Sequence, residues 1–497
     1  MNSFWQRLTL STLPLQQWWS TSYLHRLVGL LRSWRKDSRL MQYADLIGAG
    51  LVCLVFGLAP FISNTLIGIL LIACGAYWVL LTISDDWEVE NRDRQRTTDQ
   101  GQESSLSPVA HRPSPNTPIH LLVLLYWSIA TVATALSPVK KLAFVGWSKL
   151  TLYLLFFALM ARVLRSPRVR SWVIGIYLHV ALLVSSYGIY QKIYGVKQLA
   201  NWVDPTSPTA NKERVYSYLG NPNLLGGYLL PAIAFSLVAI FAWQHWGPKL
   251  LAVFMLGLNL ACLYFTDSRG AWIGFVCLGI VLLFLLIYWW SNYLPKFWRI
   301  WALPLALGGF VGAIVLGVLV LEPLRDRVSS MFLGRGDSSN NFRINVWMSV
   351  IEMIKDRPIL GIGPGNTAFN RIYPLYQRPR FSALSAYSVI LEVAVETGLI
   401  GLACFLWLLL VTFTQGWIQL TRLRELADRQ GCWLIAALAS LVGMLGHGLF
   451  DTVLYRPEIN TLWWLMIALI ASYYSGRQGK GVDEWASGSV NGWMSRE

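Results

Sequence analysis

Long apolar runs separated by short basic loops set the pattern of this chain. A helix needs roughly 20 apolar residues to cross the hydrocarbon of a bilayer. Twelve stretches reach or approach that length: 43–62, 65–84, 119–137, 142–161, 171–191, 224–243, 249–266, 271–290, 300–321, 398–418, 432–454 and 460–474, the last of them short. A further apolar signal from Val389 to Val395 is too brief to cross alone. The pattern predicts an all-α fold, a polytopic membrane helix bundle of about twelve transmembrane helices with one large outward (periplasmic) loop domain. A basic N-terminal segment occupies 1–40, and the first nine helices fill 41–321, interrupted by a loop at 85–118. The large loop spans 322–397, the last three helices fill 398–474, and a tail covers 475–497.

The polar stretches differ in kind. The N-terminal segment carries Trp5, Trp18, Trp19 and Trp34 among basic residues and has no signal-peptide cleavage pattern, which suits an interfacial amphipathic helix. The 85–118 stretch is rich in Asp, Glu, Arg, Ser, Gln and Pro and reads as a mobile loop. Within the large loop, Val346 to Lys355 fits a short amphipathic helix with Trp347, Val350, Ile351 and Ile354 on one face. Pro358 would stop it, ahead of the turn Gly361-Ile362-Gly363-Pro364-Gly365. That glycine run follows a helix rather than a strand, lacks GxGxxG spacing and has no P-loop lysine, so it is no nucleotide fingerprint.

Composition narrows the class. With 55% hydrophobic and 13% charged residues, against about a quarter charged in soluble domains, a water-soluble fold of this size is not expected. The net charge of +15 lies mainly between the apolar runs and does not signal nucleic acid. Arg32, Arg35, Lys36, Arg92, Arg94, Arg162, Arg165, Lys296, Arg299, Arg422 and Arg424 all fall on one side of a twelve-span arrangement. By the positive-inside rule that side is cytoplasmic, both termini lie there, and the protein belongs in the plasma (inner) membrane. The six cysteines have neither metal-type nor disulfide-framework spacing, and no cofactor or metal is expected.

The chemistry must then sit on the outward face. The turn Thr266-Asp267-Ser268-Arg269-Gly270-Ala271-Trp272 places an arginine at a membrane boundary. The loop adds Asn341-Phe342-Arg343-Ile344-Asn345-Val346-Trp347, then Asp356-Arg357-Pro358-Ile359-Leu360-Gly361, then Glu396-Thr397-Gly398-Leu399-Ile400-Gly401. In this order the pieces resemble the O-antigen ligase and polymerase superfamily of bacterial envelope enzymes. The narrower resemblance is to the cyanobacterial IctB family, described as bicarbonate transporters. It rests on Gly220-Asn221-Pro222-Asn223-Leu224-Leu225-Gly226-Gly227-Tyr228, on the run from Arg380 to Ser388, and on Asp451-Thr452-Val453-Leu454-Tyr455-Arg456-Pro457.

The superfamily resemblance implies transfer of a glycan from a polyprenyl diphosphate to a sugar hydroxyl. Arginines suit the leaving diphosphate because they stay charged and donate paired hydrogen bonds; Arg269 and Arg343 match the family's two. The family's base, a histidine before the tenth span, aligns with Tyr387. None of His25, His111, His120, His179, His245 and His447 lies in the large loop. A phenol is a poor base near neutral pH, so ligase chemistry by the histidine mechanism is not expected. Lys149, Glu396 and Arg456 are possible supporting residues.

Plain structural roles stay open beside these. Arg269 could anchor a helix end among headgroups, and Arg343 could pair with an acid such as Asp337. Tyr387 could be an interfacial aromatic, Lys149 could reach the interface, and Glu392 and Glu396 could serve packing or a helix dipole. His179 reads as a satisfied bundle histidine. Three functions compete: a protein of inorganic-carbon (bicarbonate) accumulation, an envelope glycan ligase or polymerase acting on polyprenyl-linked saccharide, and a silent relative that binds a lipid-linked anion. Membrane lipids are partners in each.

Overall fold

The computed structural model describes residues 3–10, 28, 30–38, 40–85, 117–196, 213–332 and 334–474. Trp18 and Trp19, most of the expected mobile loop (86–116) and the tail 475–497 lie outside the described residues. Fifteen helices carry the account. The first nine are α1 (Ala44–Leu58), α2 (Asn64–Ile83), α3 (Pro118–Ala135), α4 (Lys140–Val163), α5 (Pro167–Tyr194), α6 (Pro222–Ala242), α7 (Trp246–Phe265), α8 (Arg269–Trp290) and α9 (Lys296–Val320). Then come α10 (Glu322–Phe332), α11 (Ser338–Asp356), α12 (Asn366–Ile372), α13 (Val389–Glu425), α14 (Gly431–Gly448) and α15 (Pro457–Ser472). There is no strand among the described residues. Among the described residues, eleven helices are long and apolar enough to cross a membrane. With the 16-residue α15 they account for the twelve expected runs. The protein is an all-α, multi-pass membrane protein.

Local chemistry fixes the helix starts. Proline opens α3, α5, α6 and α15, where its missing N–H costs nothing. Thr117, Asn221 and Ser268 cap α3, α6 and α8 through their side-chain oxygens. Small residues then let the central helices approach closely. A Cβ on Gly274 of α8 would lie 2.5 Å from the Gly443 carbonyl oxygen of α14, and one on Gly226 of α6 would lie 2.5 Å from the Ala271 Cβ of α8. As a result α6 and α14 are buried along nearly their whole length. By contrast α9 has no buried residue and lies on the outside of α8, with the Phe310 ring against Gly279.

Helix α13 joins two pieces that look separate in the sequence. The brief Val389–Val395 run forms its first turns, and the helix then breaks at Gly398, with φ 69° and ψ −176°. That break exposes backbone groups, and the preceding Gly-rich segment satisfies them. Ile362 N–H donates to the Val395 carbonyl and Gly363 N–H to the Glu396 carbonyl, both at 2.9 Å, while Leu399 N–H donates to Pro358 O at 2.7 Å. The Glu396 carboxylate closes the turn by accepting from Gly365 N–H at 2.7 Å.

The loop helix differs from expectation in length and in face. It begins at Ser338, capped by Asp337, rather than near Val346. Its buried stripe is Val346, Ser349, Val350 and Met353, while Ile351 is exposed and Trp347 only half-buried. The reason is its partner: Val346, Val350 and Met353 pack with Phe369, Tyr373, Ala386 and Val395 in a small core of their own. That core rotates the helix about one residue from the stripe with the most apolar side chains.

Candidate functional site

Helices α6, α8 and α14 meet at the face that carries the large loop, and their ends bring polar groups together. Arg269 is the first residue of α8 and is buried, with 8% of its side chain exposed. Its Nη2 donates to Asp337 Oδ1 at 2.8 Å. The same oxygen accepts from Asn340 N–H at 2.9 Å, so one carboxylate both caps α11 and pairs with α8. Two turns into α11, Arg343 Nη1 donates to Ser339 Oγ at 2.9 Å. Its buried Nε has no hydrogen-bond partner among the described residues. Burial lowers the pKa of Arg343; the Asp451 carboxylate opposes that shift and the Arg269 guanidinium adds to it. The two arginines therefore lie within electrostatic reach of each other, around the acid pair Asp337 and Asp451.

Tyr387 joins the same group. It precedes α13 with a left-handed φ of +52°, rare for a bulky residue. Its ring meets Phe342 edge-on with centroids 5.4 Å apart. Its carbonyl accepts from Trp347 Nε1 at 3.4 Å. Burial pushes its phenol pKa up, Asp451 and Tyr455 push it further, and Arg343 only partly opposes them. The phenol thus holds its proton throughout the neutral range.

Two further groups come from chain segments far from the loop. Asp451 follows α14, is buried, and accepts at Oδ2 from Asn223 Nδ2 at 2.6 Å. Asn223 Oδ1 in turn accepts from Arg214 Nη2 at 3.0 Å. One turn before Asp451, His447 is fully enclosed. Neither of its ring nitrogens has a hydrogen-bond partner among the described residues. The imidazole fills space that glycines leave: a Cβ on Gly270 would lie 3.2 Å from Nε2, and one on Gly227 would lie 3.3 Å from Nδ1. Enclosing a polar group without a partner costs about 1–3 kcal/mol, so a wholly structural histidine here is expensive.

The structure thus brings Arg269, Arg343 and Tyr387 together. Arg343 is not paired with Asp337, which goes to Arg269 instead. Arg456 lies at the margin, 5.9 Å from the centre of the Tyr455 ring. Glu396 is engaged in holding the Gly365 turn. Lys149 is exposed on α4. His179 is satisfied by the Gly175 carbonyl at 2.7 Å, but it is exposed rather than inside the bundle. His447, Asp451 and Asn223 were missed as site residues. A His and an Asp four apart at the end of a long apolar run, costly in a membrane without a purpose, were the available signal.

Both arginines and Tyr387 also fall inside one stretch of family similarity. Residues 251–406 match the family model described as O-Antigen ligase. No curated protein matches the chain. The O-antigen ligase-like region covers less than half of the sequence, from within α7 to within α13. Asn223, His447 and Asp451 lie outside it, on α6 and at the end of α14. The chain is an integral membrane protein with an O-antigen ligase-like region.

Proposed function

We propose that the protein binds a polyprenyl-diphosphate-linked saccharide on its outward face, with Arg269 and Arg343 on the diphosphate, and transfers the saccharide to a hydroxyl acceptor. One observation carries this reading: a half-buried arginine, Arg343, whose enclosed Nε lacks a partner among the described residues, within electrostatic reach of the buried Arg269 guanidinium. An enclosed guanidinium donor left unused is costly, and a bridging dianion would satisfy it. The geometry suits a diphosphate, which spans two cations from different helices, and the membrane boundary suits its lipid tail. The O-antigen ligase-like match over 251–406 supports the same substrate class. The inner-membrane, cytoplasmic-termini orientation belongs to this proposal, since it places the cluster outside.

The IctB-type reading, transport of bicarbonate, uses the same cations for a small anion. One experiment separates the two. The full chain in lipid nanodiscs is titrated with a long-chain prenyl diphosphate, and the full chain in proteoliposomes is assayed for bicarbonate flux. Saturable prenyl diphosphate binding, weakened about tenfold or more in Arg343→Met by loss of a charged hydrogen bond, supports the proposal. Saturable bicarbonate flux with no prenyl diphosphate binding overturns it.

A further inference from the structure

Transfer to a hydroxyl needs a proton acceptor, and the loop position aligned with the family's histidine holds a phenol that keeps its proton. Four other groups that could accept a proton lie at or border the cluster. Asp337 is occupied by Arg269 and by the α11 cap. Asp451 is tied to Asn223. Glu392, at the start of α13, is half engaged: Oε2 accepts from Ala386 N–H at 2.5 Å, and Oε1 has no partner among the described residues. His447 alone offers two ring nitrogens with no partner among the described residues. Its Nε2 edge lies against Gly270, the residue next to Arg269. Its ring also faces Gly227 of α6, four residues along from the Asn223 that holds Asp451.

We propose that His447, from the end of α14, takes the proton of the attacking hydroxyl. This rests on the diphosphate reading above. The acceptor oxygen forms a bond to the anomeric carbon of the lipid-linked sugar. The bond from that carbon to the diphosphate oxygen breaks, and its electron pair leaves with the diphosphate between Arg269 and Arg343. The hydroxyl proton passes to a ring nitrogen of the imidazole, one helical turn before Asp451. The proton leaves to water once product departs. Gly227, Gly270 and Gly274 make the slot for the ring, since a Cβ on each would lie within 3.3 Å of a His447 side-chain atom. The base thus arrives from a different helix, outside the O-antigen ligase-like region.

The test uses the full chain in nanodiscs, labelled with 15N-histidine, and a long-chain prenyl diphosphate as probe. The His447 resonance is assigned by its loss in His447→Gln. The expected result is that the probe binds wild type and His447→Gln alike, and that the wild-type His447 resonance shifts when the probe and a sugar alcohol are added together. With lipid-linked saccharide as donor, His447→Gln should lose about 10²–10⁴ in transfer rate, the usual contribution of a general base. Gly270→Ala, which leaves the imidazole but crowds its edge, should lose rate in the same direction and guards against misfolding of His447→Gln. No probe binding by wild type overturns the diphosphate reading and this inference with it. Saturating probe with an unmoved His447 resonance, or transfer by His447→Gln at the wild-type rate, overturns the inference alone.

Discussion

Arg343 and Tyr387 show how far side-chain identity alone could be read. The sequence singled out Arg269 and Arg343 as candidates, because a guanidinium beside an apolar run is conspicuous. It could not show that Asp337 pairs with Arg269 rather than Arg343, because that choice depends on where α11 begins. Nor could it show His447 in the cluster, which α6, α8 and α14 assemble from distant positions. Two predictions belong at this scale. With its pKa pushed up by burial and by Asp451, the Tyr387 phenol is neutral at working pH. Tyr387→Phe should therefore change the transfer rate less than tenfold, with no new dependence on pH between about 6 and 9, since the group removed does not titrate there. A loss as large as that expected for His447→Gln would make the phenol the proton acceptor. Asp337→Ala removes both a cap and a buried ion-pair partner. It should destabilise the fold by at least about 1 kcal/mol, the usual worth of the cap, with the lost ion pair adding to that. A thermal-shift assay in detergent that finds wild-type stability would show that Arg269 has another sufficient partner.

Among the elements, periodicity served best where helices are long and lipid-facing, and worst where packing is local. The long apolar runs became helices, whereas the buried face of α11 follows the small loop core around Phe369 and Tyr373. The break in α13 was likewise hidden, because its first turns are too short to register as a span and Gly398 sits inside an apolar context. Gly-rich and Glu-Thr-Gly segments that read as possible site motifs prove to be one structural unit, the former hydrogen-bonding the backbone that the latter frees. Gly398 has φ 69°, and a Cβ there would collide with the Ile359 carbonyl. Gly398→Ala should cost at least about 1–3 kcal/mol and loosen the loop that carries Tyr387. Faster proteolysis between α11 and α13 in detergent would report it; unchanged cleavage would show that the break relaxes without the glycine.

At the level of the whole molecule, hydropathy alone was enough for the fold class, since a bilayer leaves few ways to satisfy a backbone. The proposed orientation rests on charge alone and would place the arginine cluster outside. In a background without the six native cysteines, a cysteine at exposed Ser382 should react with an impermeant reagent added outside intact cells. One at exposed Ser166, in the α4–α5 turn, should be protected until the membrane is opened. Equal reactivity at both sites would reverse or break the proposed topology. The central claim, that Arg269 and Arg343 form one seat for a lipid-linked diphosphate, is tested most directly by an experimental map of the full chain with a polyprenyl diphosphate bound. The account predicts phosphate oxygens within about 3 Å of the Arg343 guanidinium and shared with Arg269, close to His447, with the isoprenoid tail leaving into the bilayer. A diphosphate seated on the opposite face, or on this face with neither arginine touching it, would contradict the account.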